Sequence, residues 1–224
     1  MPALLTRLSS GKRIKRPLSA LVTFLGFMMA ASFGAEARTI RLVALGDSLT
    51  AGYLLAGADA FPSVLEKALR VKGLDVAIEN AGVSGDTATG GLERLDWSVP
   101  DGTDGVIVEL GANDALRGLD PMVTEKALDQ IITRLKARNI AVLLAGMLAP
   151  RNNGEAYGKA FDAIYPRLAQ KHGIALYPFF LDGIAGDPKL NLADMIHPNP
   201  AGVRVIVERM LPVAEAFVKG LLPR

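Results

Sequence analysis

Residues 40–52 read Ile40-Arg41-Leu42-Val43-Ala44-Leu45-Gly46-Asp47-Ser48-Leu49-Thr50-Ala51-Gly52. The apolar, partly β-branched run Ile40–Leu45 predicts a buried strand, and Gly46-Asp47-Ser48 breaks it where the chain must turn. A strand that ends in a glycine turn and opens a helix presents its serine hydroxyl at the carboxyl edge of a sheet. That edge is where open α/β folds bind ligands. Taken alone, the same serine fits an ordinary helix N-cap equally well, so its meaning depends on the rest of the chain.

Downstream, Phe61–Arg70 has helical spacing with Pro62 early, where a missing N–H costs little, and Gly73 ends it. Leu74–Glu79 alternates like a strand, Asn80–Thr87 is a polar loop, and a helix-like stretch runs to Leu95. Gly105–Leu110 is the clearest buried strand. Pro121–Arg138 is an amphipathic helix, Ile140–Gly146 the next strand, and Gly154–Lys171 a helix with Pro166 as a kink point. Ile174–Leu176 reads as a short strand, 177–196 as irregular, and Ala201–Leu222 as a terminal helix interrupted near Pro212. Strands alternating with helices imply right-handed βαβ units and a parallel sheet. The expected architecture is a three-layer α/β/α, flavodoxin-like domain with strand order 2-1-3-4-5.

The 224 residues suit one domain. Residues 1–17 carry Arg7, Lys12, Arg13, Lys15 and Arg16 and no acid. An apolar run from Leu18 to Phe33 follows, then Ala35-Glu36-Ala37. This is the pattern of a secretory signal peptide spanning 1–37, with the functional domain at 38–224 and the periplasm or the medium as destination. An uncleaved membrane anchor is the alternative, although the apolar run is short for a span. Without 1–37 the chain holds 20 basic and 22 acidic residues, a net charge of about −2. That balance offers nucleic acid no electrostatic footing. The chain has no cysteine, which excludes disulfides, thiol catalysis and Cys-ligated metals.

In the expected topology the loops after the first three strands open on one edge, and each carries a polar glycine cluster: Gly46-Asp47-Ser48, Ser84-Gly85-Asp86 and Gly111-Ala112-Asn113-Asp114. Near the C-terminus comes Asp194-Met195-Ile196-His197-Pro198, where an Asp three residues before a His can meet its ring across one turn. A serine hydroxyl is a poor nucleophile until a base takes its proton. His197 suits that role, histidine having a reference pKa of about 6.5, and Asp194 would orient it and stabilise the imidazolium. The Ser48 and Gly85 backbone amides and the Asn113 side chain would be the oxyanion donors. This is acyl transfer through an acyl-enzyme on Ser48. His172, before Gly173 at a helix end, reads as structural. Asp47, Asp86 and Asp114 fit caps and loop organisers better than a hard-metal site, so no metal and no cofactor is expected.

The turn is not the common nucleophile elbow, because Gly46-Asp47-Ser48-Leu49-Thr50 lacks the second glycine of that motif. Taken together in order, the four clusters resemble the SGNH, or GDSL-type, hydrolase family, and the likeness spans 40–202. Glu109–Gly118, Ala163–Pro166 and Tyr177–Phe180 look most like its exported thioesterase I/lysophospholipase/arylesterase group. The resemblance implies the SGNH hydrolase fold and broad activity on acyl esters and thioesters. Leu116, Leu119, Met147, Leu148 and Pro150 are expected at the same edge as walls of an acyl groove. The partner is then a small-molecule acyl ester or thioester, and the protein a monomer without stable membrane insertion once the signal is cleaved. Two rivals stay open: a carbohydrate or peptidoglycan O-acetyl esterase on the same machinery, and a non-catalytic envelope binding module.

Overall fold

A computed structural model describes residues 38–222; the expected signal peptide, 1–37, lies outside the described residues. The elements run β1 (Ile40–Gly46), α1 (Ser48–Ala51), α2 (Phe61–Val71), β2 (Val76–Gly82), α3 (Ala88–Glu93), α4 (Leu95–Ser98), β3 (Gly105–Glu109), α5 (Ala112–Leu116), α6 (Pro121–Ala137), β4 (Ala141–Ala145), α7 (Glu155–Asp162), α8 (Ile164–His172), β5 (Ala175–Tyr177) and α9 (Pro200–Leu221). The five strands form one parallel sheet in the order β2-β1-β3-β4-β5, as the alternation of strand and helix periods implies. Central β3 is buried at every position, as a strand covered by helices on both faces must be. α2 and α9 pack together on one face, and α3, α6 and α8 form the other layer.

α6 shows how the local code works. Asp120 accepts the Met122 N–H at 2.9 Å, Pro121 occupies the first position, and Arg134 and Lys136 lie in the last turn, where cations suit the dipole. Ala127, Leu128, Ile131, Ile132 and Leu135 make the buried stripe. Each of the larger ones contributes roughly 1.5–3 kcal/mol by leaving water.

Three of the differences from the sequence reading have a plain physical cause. β2 begins later and continues through Asn80, Ala81 and Gly82, which pair with Ala44, Leu45 and Gly46. An edge strand tolerates polar side chains because one rim of it meets solvent, so the Asn-Ala-Gly run that resembles a loop still completes the ladder. The expected helix 154–171 is two helices broken at Ala163. Pro166 thereby falls in the first turn of α8, where its missing N–H leaves no gap. α9, by contrast, runs uninterrupted past Pro212. Pro212 and Glu208, whose carbonyl loses its partner, are both exposed, so water takes the place of the lost bond.

Candidate active site

β1 delivers the first cluster. A Cβ at Gly46 would stand 2.0 Å from Thr50 Oγ1 and 2.7 Å from the Glu109 carbonyl, so only glycine lets the strand end turn so tightly. Asp47 then caps α1, its Oδ1 accepting the Leu49 N–H at 3.0 Å. Ser48 is the first residue of α1, so its own N–H has no intrahelical carbonyl to meet.

The late loop reaches back to it. His197 Nε2 lies 2.9 Å from Ser48 Oγ, and His197 Nδ1 lies 2.7 Å from Asp194 Oδ2. Asp194 Oδ1 accepts the Ile196 and His197 N–H groups at 2.9 and 3.0 Å. The main-chain amides of His197 and Ile196, with the imidazole, hold Asp194 down at about 2, so it is charged wherever a histidine titrates. The turn is tight enough to place Met195 at φ 62, an uncommon conformation for a non-glycine residue. It is anchored from behind: Leu192 N–H donates to the His197 carbonyl at 2.7 Å and Asn199 N–H to the Leu190 carbonyl at 2.9 Å. Asn199 also caps α9 through Ala201 and Gly202.

Asn113, on α5, joins the three strand-end clusters. Its Nδ2 donates to Asp47 Oδ2 at 2.9 Å and to the Asp86 carbonyl at 3.0 Å, one bond to the loop after β1 and one to the loop after β2. Both amide protons therefore already have acceptors. Gly85 has φ +87, a left-handed conformation natural to glycine, and its carbonyl accepts from Arg117 at 2.7 Å.

The other acids have structural partners. Asp86 pairs with Arg94 at 2.5 Å. Asp114 accepts from the Ala88 N–H and the Thr124 hydroxyl, each at 2.9 Å. His172 stands against Asp129 at 2.6 Å.

A cavity of about 520 Å³ opens beside Ser48, Asn113 and His197. Leu116, Met147, Leu148 and Pro150 line it. Leu119 is absent from that lining; its carbonyl instead accepts the Tyr157 hydroxyl at 2.8 Å. Phe179, Leu181, Ala185, Met195 and Ile196 also line it, and sequence reasoning missed them because 177–196 has no periodic signal.

Two more residues escaped the sequence reading. The Tyr53 ring stands 4.5 Å from the His197 ring. Arg94, 7% exposed, donates to the Gly46 carbonyl and the Ala81 carbonyl, both at 2.8 Å, besides its bond to Asp86. One guanidinium thus ties the ends of β1 and β2 to the Gly85 loop. A lone arginine in an otherwise weakly patterned helix gives no hint of this.

A profile of the GDSL-like Lipase/Acylhydrolase family matches residues 44–205. The chain belongs to that family. This GDSL-type hydrolase is 38% identical over 205 residues to the arylesterase of Vibrio mimicus, a match covering 91% of this chain and 98% of that one. It is 40% identical over 174 residues to thioesterase 1/protease 1/lysophospholipase L1 of Escherichia coli K12, covering 77% and 82%. Among solved structures, AlinE4, an SGNH-hydrolase family esterase, aligns with TM-score 0.68 at 43% identity over 84% of this chain and 99% of its own. The protein is an ester-hydrolysing serine hydrolase, which sets aside the non-catalytic binding module.

Proposed function

We propose that this SGNH hydrolase cleaves acyl esters and thioesters, of the arylesterase, thioesterase and lysophospholipase kind, through an acyl-enzyme on Ser48. Ser48 Oγ attacks the acyl carbonyl while His197 Nε2 takes its proton. Asp194 keeps the imidazole tautomer with Nδ1–H and stabilises the imidazolium. The Ser48 and Gly85 amides receive the oxyanion, joined by Asn113 Nδ2 when one of its protons turns from the Asp86 carbonyl to the substrate. His197 returns the proton to the departing alcohol or thiol, then activates water to release the acid. The observation that carries the reading is the pair of contacts at 2.9 and 2.7 Å running from Ser48 through His197 to Asp194 at the mouth of a largely apolar cavity. The apolar lining favours a hydrocarbon acyl chain over an acetylated sugar.

The test is hydrolysis of p-nitrophenyl esters from acetyl to long acyl chains by residues 38–224, beside the same chain with Ser48→Ala. Activity lost with Ser48 and an optimum beyond acetyl support the reading. Activity that survives Ser48→Ala overturns the nucleophile, and an acetyl optimum favours the O-acetyl esterase. The basic, apolar and Ala-x-Ala pattern of 1–37 supports export to the periplasm or medium with cleavage after Ala37. The N-terminal mass of the exported protein tests this, an intact Met1 indicating the uncleaved anchor. The active form is a monomer, which light scattering tests.

A further inference from the structure

Glu109 ends β3 opposite Gly46 of β1 and is 1% exposed, beside a fully buried Asp47. Its Oε2 accepts the Thr50 hydroxyl at 2.7 Å. Its Oε1 is buried and has no hydrogen-bond partner among the described residues. Glu109 pairs with Gly46, the residue before Asp47, which brings the two buried carboxyl groups to the same strand ends. Two ionised carboxylates only accept, so they cannot bond. A single proton on Glu109 Oε1 would supply the missing donor and satisfy the orphaned oxygen.

Asp47 is the better seat for the remaining charge. It takes the Leu49 N–H at 3.0 Å and the Asn113 amide at 2.9 Å, and hydrogen bonds of that kind favour the ionised form. We propose that Glu109 is held as a neutral carboxylic acid donating its proton to Asp47, and that this buried pair is a positioning device for Ser48 and Asn113. Asp47 Oδ1 sets the start of α1, which carries Ser48; Oδ2 sets the Asn113 amide; the Glu109 proton fixes the plane of the carboxylate between them. The proposal rests on the roles given above to Ser48 and Asn113.

The surrounding charges agree. Burial, then the Asp47 charge, pushes Glu109 well above the usual carboxylate range, while burial lifts Asp47 to about 6 against its hydrogen bonds. The titratable groups nearby are His197 from the late loop, and Tyr165 from α8, near Asp114 as well as the pair. The Arg94 guanidinium reaches the Gly46 carbonyl but is engaged by Asp86.

The experiment compares the wild-type chain with Glu109→Leu and Glu109→Gln. Infrared spectra at about pH 8 should show the carbonyl stretch of a protonated carboxyl in the wild type and its loss in Glu109→Gln. Glu109→Leu removes the donor and should lower kcat by about tenfold or more with KM little changed, whereas Glu109→Gln, whose amide donates from the same place, should recover most of it. If Glu109 is neutral, Glu109→Gln also leaves the acid limb of the kcat/KM profile where it is. Absence of the infrared band, or an acid limb that moves to lower pH in Glu109→Gln because a negative charge was removed, overturns the proposal. Should Glu109→Leu fail to fold, the spectrum and the Glu109→Gln profile still decide. Activity that survives Ser48→Ala would sink the site assignment instead, and the infrared band would then report on the Glu109 proton independently of it.

Discussion

The aromatic ring of Tyr53 lies 4.5 Å from the imidazole of His197, with the two planes inclined by 37°. Tyr53 follows the Ser48 helix by two residues, so the segment that presents the serine also covers the proposed base. A ring face stabilises an adjacent cation by about 0.5–1 kcal/mol at a partly exposed site. Tyr53→Ala should therefore make the imidazolium easier to deprotonate and move the acid limb of kcat/KM down by several tenths of a pH unit. Tyr53→Phe should leave the limb in place. A limb unmoved by Tyr53→Ala would show that the contact does not bear on the proton.

Asp194 tests the orienting role. Its pKa of about 2 lies below the ordinary aspartate value of 3.8, so its ionisation favours the folded state above about pH 4 and that gain fades as pH falls through 2. Across the histidine range it is always an anion. Asp194→Asn removes that anion, and kcat should fall by roughly 10²–10⁴-fold at neutral pH while the acid limb shifts to lower pH. A pH–rate series on the variant checks both signs.

Asn113 is expected to act on turnover rather than on binding. Loss of one oxyanion donor costs about 10²–10³ in rate, so Asn113→Ala should lower kcat on that scale at nearly constant KM. An effect confined to KM would remove Asn113 from the oxyanion hole.

Ala185 lines the cavity from an exposed loop, so enlarging it spares the core. Ala185→Phe should reduce kcat/KM for long acyl esters by about tenfold or more relative to acetyl ester, on the usual scale of pocket discrimination. An equal effect on every chain length in the p-nitrophenyl series would place the acyl chain elsewhere.

Arg94 governs stability. Its guanidinium and Asp86 are largely buried, with side chains 8% and 19% exposed. Breaking such a pair from one side strands the other charge and costs about 3–5 kcal/mol. Arg94→Met should lower the urea midpoint accordingly, and Arg94→Met with Asp86→Asn should recover part of the loss. A stability within about 0.5 kcal/mol of wild type would show that the clamp is dispensable.

The sheet order and the four polar clusters were legible because both are short-range signals. Apolar runs of strand length separated by helical periods leave few topologies, and glycine, Asn and Asp at strand ends announce turns by their own chemistry. The ends of elements were less legible. β2 extends through Asn80-Ala81-Gly82 because β1 supplies its ladder partners, and α9 passes Pro212 because that side of the helix faces water. Neither partner nor solvent is written in the local string.

The sequence by itself determined the doubly wound fold and the chemical types at the sheet edge, since periodicity and turn residues act over a few positions. Tertiary structure alone decided which distant side chains complete the site. Thr50 and Glu109 are 59 positions apart and share a 2.7 Å bond; Ser48 and His197 are 149 apart and stand at 2.9 Å. Phe179 and Leu181 line the cavity from an irregular segment, and Glu109 looks like one more residue of the apolar strand 105–110 until β1 is paired beside it. The physical reason is burial. A buried carboxyl group takes its protonation, and a buried arginine its partners, from the chain that excludes water around it, and which chain does so is a property of the packed molecule.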